Sequence, residues 1–209
     1  RGVPVVVIGS DSQGRRVSTV DVDNVACGWV AAEHLINLGH TRLAYVGRVP
    51  DKSSSLERLQ GALSAIEAHG LPKPIVVDGA YRWKSGYEMA GTLLGLPEEE
   101  LPTGWICSND EIAYGASLRL REAGVAVPGR VSLIGTDDTV FAQMAEPALT
   151  TLRQPLHAMG VKAAEILAER AVCRDLDVTQ AVFPVELVVR ASTGPVGPTA
   201  RPTTAGYRA

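Results

Sequence analysis

Two stretches in the second half of the chain decide the fold: Trp105-Ile106-Cys107-Ser108-Asn109-Asp110 and Val131-Ser132-Leu133-Ile134-Gly135-Thr136-Asp137-Asp138. Each is a short apolar run that ends in small and acidic residues, with a segment of helical pattern, Glu111 to Ala123, between them. Continuous apolar runs of this length read as parallel strands buried on both faces. In open α/β sheets the ligand crevice lies outside the carboxyl ends of the strands. Asn109, Asp110, Asp137 and Asp138 are therefore expected at one mouth, where they suit a small polar ligand.

The same rhythm runs outward in both directions. Val3 to Gly9 reads as a buried strand and Val17 to Val22 as a second, with Asn24 capping a helix from Val25 to Leu38. Leu43 to Gly47 is the next strand, and Ser53-Ser54-Ser55 with Glu57 opens a helix to about Ala68. Pro72 and Pro74 then break the chain, the best place for a crossover between subdomains. Strands at Ile75–Val77 and Leu149–Leu152, helices at Lys84–Leu94, Val140–Ala145 and Pro155–Val172, and a last strand at Phe183–Val189 complete the pattern. Alternating β and α elements predict parallel sheets covered on both faces. The expected division is a partial first lobe over 1–72, a second lobe over 73–152, a long helix and crossing strand over 153–193, and a disordered tail of Gly, Pro, Thr and Ala over 194–209.

Composition narrows the function. With 20 Lys and Arg against 23 Asp and Glu, the 209 residues carry a net charge of −3 and no basic block. Such a chain has no general attraction for nucleic acid. Cys27, Cys107 and Cys173 are widely spaced in apolar or helical contexts and read as reduced thiols, which fits a cytoplasmic protein. There is no signal-peptide layout and no apolar run long enough for a membrane span. No GxSxG, Walker loop, HExxH or GxGxxG occurs, and none of the four histidines has a Ser, Cys or acid partner in a recognisable nucleophile arrangement.

The order and spacing of many segments resemble the effector-binding core of the lactose-repressor/galactose-repressor (LacI/GalR) family of bacterial transcription regulators. They are Val3–Gly9, Asp21-Val22-Asp23-Asn24, His34–Ala44, Glu57-Arg58-Leu59-Gln60-Gly61, Ser108-Asn109-Asp110, Val131–Asp138, Pro147–Pro155 and Glu186–Thr193. The resemblance implies an α/β, periplasmic-binding-protein-like fold, two parallel-sheet lobes with a ligand cleft between them, and a homodimer. It also implies a helix-turn-helix, a hinge helix and two further strand–helix units of the first lobe, which this sequence does not contain. The first lobe is thus expected to be incomplete, with Val3–Ile8 along a bare apolar edge. Thr136 departs from the family, which has an aromatic residue before the acidic pair.

The expected ligand-binding residues are Arg58, Asn109, Asp137, Tyr81, Trp83, Ser54 and Ser10. Arg58 lies near the start of its helix. By resemblance it reaches into the cleft, and its fork of donors suits ligand oxygens, whereas on residue grounds alone it is a surface cation paired with Glu57 or Glu67. Asn109 offers donor and acceptor to a hydroxyl, or caps the following helix. Asp110 reads as a structural acid. Asp137 is the carboxylate for vicinal hydroxyls, while Asp138 caps the next short helix equally well. A metal shell at the acidic pair lacks a third ligand nearby in sequence, so neither metal nor cofactor is expected. Tyr81 and Trp83 compete as an aromatic platform for a sugar face, or both pack at the lobe edge. Ser54 and Ser10 are weaker and also suit turn caps.

These residues predict the effector-sensing core of a transcription regulator, binding a sugar or sugar derivative whose closure of the lobes controls operator binding by DNA heads outside this chain. A freestanding solute-binding protein of the same fold is the alternative. An enzyme using Asp137 as base is the remote one.

Overall fold

The computed structural model describes residues 3–9, 16–173 and 177–197. Two sheets organise the chain. The larger has six strands in the order β4-β3-β5-β6-β7-β9: β3 (Leu43–Arg48), β4 (Ile75–Asp78), β5 (Gly104–Cys107), β6 (Ser132–Asp137), β7 (Thr150–Arg153) and β9 (Glu186–Val188). All pairs are parallel except β7 with β9. The smaller joins β1 (Val6–Ile8), β2 (Ser18–Val22) and β8 (Gln180–Phe183) in the order β1-β2-β8, all parallel.

Alternation along the strands explains how the large sheet is covered. Leu43 and Tyr45 of β3, Ile106, Ile134 and Leu152 point to one face, under helices α1 (Asn24–Asn37) and α2 (Ser53–Ala68). Ala44, Val46, Trp105, Cys107 and Leu133 point to the other, under α3 (Trp83–Leu94), α4 (Asp110–Glu122) and α5 (Val140–Met144). Strands buried on both faces need no polar alternation, hence the unbroken apolar runs. The small sheet packs Val20 and Val22 against Met159, Ala163 and Ile166 of α6 (Leu156–Val172). At its edge Ile8 of β1 is exposed, as are Val3 and Val5 just before the strand.

The chain passes between the two sheets three times: from β2 into α1 at Asp23–Asn24, from β7 into α6 at Gln154–Pro155, and from β8 into β9 at Pro184–Val185. This corrects the division expected at residue 72. Pro72 and Pro74 only shape the link from α2 to β4, and both elements belong to the large sheet's lobe because β3 pairs with β4 and β5. The predicted Phe183–Val189 strand is two strands, because Pro184 has no N–H for a ladder.

Local corrections follow the same logic. Asp23, not Asn24, caps α1, taking the Ala26 amide at 2.8 Å and leaving Asn24 buried. No capping box forms at α2. Ser55 instead bonds back to the strand end, its Oγ accepting from the Val49 amide at 2.9 Å. The tail expected from 194 is anchored at its start: the Gly194 carbonyl faces His40 Nε2 at 3.1 Å and the Val196 amide donates to the Leu38 carbonyl at 3.0 Å. Residues 198–209 lie outside the described residues.

Candidate effector site

The site forms where the carboxyl ends of β3, β5, β6 and β7 meet two of the three crossings. Arg58, one turn into α2, is only 6% exposed. Its guanidinium is held on three sides. Nε donates to Asn24 Oδ1 at 2.9 Å, NH1 to the Ser108 carbonyl at 2.7 Å, and NH2 lies 3.5 Å from Asp137 Oδ1. The backbone under Arg58 is fixed by a close helix crossing. A Cβ on Gly28 would sit 1.8 Å from the Arg58 carbonyl oxygen, and one on Gly61 would sit 1.9 Å from that of Val25. Only glycines let α1 and α2 approach so closely, and that approach sets how far Arg58 reaches.

Asp137 ends β6 with φ 116°, and Asp138 follows with φ 56°. Two consecutive non-glycine residues in the left-handed half of conformational space are costly, and such strain concentrates at ligand sites. The turn separates the two acids. Asp137 faces Arg58 and takes the Gln154 side-chain amide at 2.5 Å through the same oxygen, Oδ1. Burial raises its pKa against the pull of Arg58 and Gln154. Asp138 turns to Arg153 and Arg190 instead, at 2.6 and 2.5 Å. Burial alone would lift its pKa, but the two guanidiniums hold it below the usual carboxylate range. It therefore does not cap α5. Asp110 instead braces the residue before α5 from outside the helix: its Oδ2 accepts the Thr139 amide at 2.7 Å while Oδ1 accepts from Thr151 Oγ1 at 2.6 Å. Desolvation lifts the Asp110 carboxyl to about 6.

Of the expected residues, Arg58, Asp137, Tyr81 and Ser54 come together. Tyr81 reaches the centre through hydroxyls: its OH is 3.4 Å from Ser54 Oγ and 3.4 Å from Ser108 Oγ. Trp83 stands apart at the start of α3, 46% exposed, its backbone amide bonded to Glu111. Tyr81 is thus the aromatic ring linked to the cluster. Asn109 lies beside the site, but its Oδ1 caps α4 through the Ile112 amide at 2.9 Å. Ser10 lies outside the described residues. Sequence reasoning missed Asn24, Gln154 and Ser108. Gln154 follows the last residue of β7, so the strand-end rule that found Asp137 also points to it. A cavity of about 580 Å³ opens beside this centre, lined by Asp137, Asp138, Arg153 to Leu156, His157 and Ala158.

The arrangement is one buried cation, a half-buried carboxylate, amides and three hydroxyls, all at the junction of two sheets. It can exchange hydrogen bonds with a polyhydroxylated ligand while touching two of the segments that cross between the sheets. The model of the periplasmic binding protein-like domain family matches residues 32–193. A LacI family transcriptional regulator from Mycobacterium smegmatis has the same fold at TM-score 0.84 and 33% identity, over 93% of this chain and 72% of that one. The chain belongs to the LacI family. It spans that family's effector-binding core. The LacI family regulator from Enterococcus faecium with bound ribose matches at TM-score 0.83 and 29% identity, over 92% of this chain and 71% of that one. The arabinose metabolism transcriptional repressor of Geobacillus stearothermophilus is 34% identical over 196 residues, 91% of this chain and 54% of the repressor. The chain thus spans about half the length of that repressor. Among the described residues no helix is long and apolar enough to cross a membrane.

Proposed function

We propose that this chain is the effector-sensing core of a bacterial transcription repressor and that its effector is a sugar, held at Arg58, Asp137, Tyr81 and Ser54 and returned unchanged. One observation carries the reading: the Arg58–Asp137 pair is bonded directly to Asn24 and Gln154, which stand at two of the three crossings between the sheets. A ligand that takes up Asp137 oxygens or Arg58 protons changes the partners of both crossing segments. It therefore has different affinities for the two lobe angles, which is what coupling requires. The ribose-bound regulator and the arabinose repressor among its relatives support a sugar.

In the whole protein, lobe closure changes how a homodimer places DNA-binding heads on an operator in the bacterial cytoplasm. The exposed apolar side chains of Trp83, Val140 and Met144 in α3 and α5 favour a partner copy, and light scattering on the purified chain gives its oligomeric state directly. The function is tested by thermal shift with arabinose, ribose and cellobiose. Binding to the folded state alone raises the Tm. A shift that disappears in Arg58→Ala and Asp137→Ala is expected. A shift that survives both substitutions contradicts the site.

A further inference from the structure

Asp110 is a fully buried carboxylate behind the effector site, at the first residue of α4. Among the described residues its partners are hydrogen-bond donors and no cation. Oδ2 accepts from the Thr139 amide at 2.7 Å and from Thr139 Oγ1 at 3.2 Å, and Oδ1 accepts from Thr151 Oγ1 at 2.6 Å. A buried charge without a counter-ion is costly, and three donors on one carboxylate offset that cost. The donors lead to one place. Thr139 directly follows the Asp137–Asp138 turn. Thr151 Oγ1, on the neighbouring strand β7, also accepts the Asp138 amide at 3.4 Å. The amides of the two residues after Asp137 are therefore both tied to Asp110, one directly and one through Thr151. Their turn has φ 116° and 56° at two non-glycine residues, a conformation that needs outside support. Strand β6 makes room for that support. A Cβ on Gly135, which pairs with Thr151 two residues before Asp137, would stand 2.3 Å from Asp110 Oδ1.

We infer that Asp110 is a positioning residue of the effector site: without touching the ligand, it holds the turn that aims Asp137 at Arg58. Its carboxylate and the Thr151 hydroxyl fix the amides of Asp138 and Thr139. That leaves the Asp137 carboxylate on the Arg58 side, 3.5 Å from NH2, and sends Asp138 the other way, against Arg153 and Arg190. A turn released from these bonds relaxes toward negative φ, which swings the Asp137 side chain away from Arg58. Effector affinity then falls although every residue that meets the effector is intact. The effect on affinity rests on the sugar reading of the same site, whereas the hold on Asp137 is present in the free chain.

The test compares Thr151→Val, which keeps the shape and removes the hydroxyl, with Thr151→Ser, which keeps the hydroxyl and removes the methyl. Asp110→Asn gives a second comparison without touching the core threonine: its amide group donates to Thr151 Oγ1 in competition with the Asp138 amide. Melting curves establish that each variant folds. Two quantities are read well above the Asp110 pKa of about 6. The first is the Asp137 carboxyl carbon resonance of the ligand-free chain, identified by its loss in Asp137→Asn. The second is the calorimetric Kd for whichever of arabinose, ribose and cellobiose raises the Tm. Thr151→Val and Asp110→Asn are expected to move the Asp137 resonance and to weaken binding at least about threefold, the worth of one neutral hydrogen bond. Thr151→Ser is expected to keep both at wild-type values. If Thr151→Val matches wild type and Thr151→Ser does not, Thr151 is only packing and the inference is overturned. An Asp137 resonance unmoved in both Thr151→Val and Asp110→Asn overturns it as well, whatever the sugars do. If none of the three sugars binds the wild-type chain, the sugar reading loses its support, and the resonance alone upholds or overturns the hold of Asp110 on Asp137.

Discussion

Replacing Asp137 with Asn perturbs the pair at the centre of the site while keeping its shape. Arg58 is 6% exposed and Asp137 is its one ion-pair partner among the described residues. Removing one partner from a fully buried pair costs about 3–5 kcal/mol, because the other charge is left in a poor dielectric. Three features reduce that figure here. The contact is long at 3.5 Å, the Asp137 side chain keeps 26% exposure, and the bonds from Arg58 to Asn24 and Ser108 survive the change. Solvent screening of a pair this open brings the expected loss to about 1–2 kcal/mol. For a chain of this size that is about 2–8 °C in Tm. The effect on the effector is larger. A hydrogen bond to a charged acceptor is worth about 1.5–3 kcal/mol, so sugar affinity falls by about 10- to 150-fold. Scanning calorimetry of the free chain reads the first effect and titration calorimetry the second. An unchanged Tm together with an unchanged Kd would refute the reasoning, since it would mean that neither Arg58 nor the ligand depends on this carboxylate.

Asp110 gives the chain a distinctive pH dependence. Its folded pKa, about 6, lies above its ordinary 3.8, so the folded state holds the proton more tightly than the unfolded one. Its contribution to stability is complete below about pH 4 and is lost as pH rises through 6, a change on the order of 3 kcal/mol. Relative to Asp110→Asn, the wild-type chain is therefore expected to lose stability between pH 4 and pH 7 in denaturant titrations, and a gap that grows in the other direction contradicts the burial argument. Gly28→Ala drives a methyl to 1.8 Å from the Arg58 carbonyl and is expected to cost about 1–3 kcal/mol and to weaken sugar binding. Gly160→Ala in α6, which meets nothing within 4 Å, is expected to gain about 0.5–1 kcal/mol by helix propensity alone. Equal Tm changes for the two glycines would show that the α1–α2 approach is looser than described.

Much of the fold is legible in the sequence because doubly covered parallel strands leave a plain signature: short apolar runs, polar strand ends, and helices between them. Sheet membership is less legible, because local pattern does not say which strands pair. Pro72 and Pro74 look like a boundary but only turn the chain toward β4, whereas the real crossing at Asp23–Asn24 carries no breaker. Pro184 had the opposite effect, dividing an apparently continuous strand between two sheets. Arg58 and Asp137 were found through strand ends and family spacing. Asn24 was hidden because an Asn before a helix reads as a cap, and Asp23 one residue earlier takes that role instead. The separation of Asp137 from Asp138 depends on two positive φ angles, which no run of residue types declares. The choice between Tyr81 and Trp83 rests on hydroxyl contacts with Ser54 and Ser108, which arise only when β4, α2 and β5 are brought together.

The most direct test of the account is a nuclear magnetic resonance titration of the isotope-labelled chain with the sugar that raises its Tm most. The account predicts that the side-chain amides of Asn24 and Gln154 and the backbone amides of Asp137 and Asp138 shift together and saturate with one Kd, because ligand and crossings share the Arg58–Asp137 pair. Shifts confined to the outer faces of α3 and α4, with Asn24 and Gln154 unmoved at saturation, would contradict it.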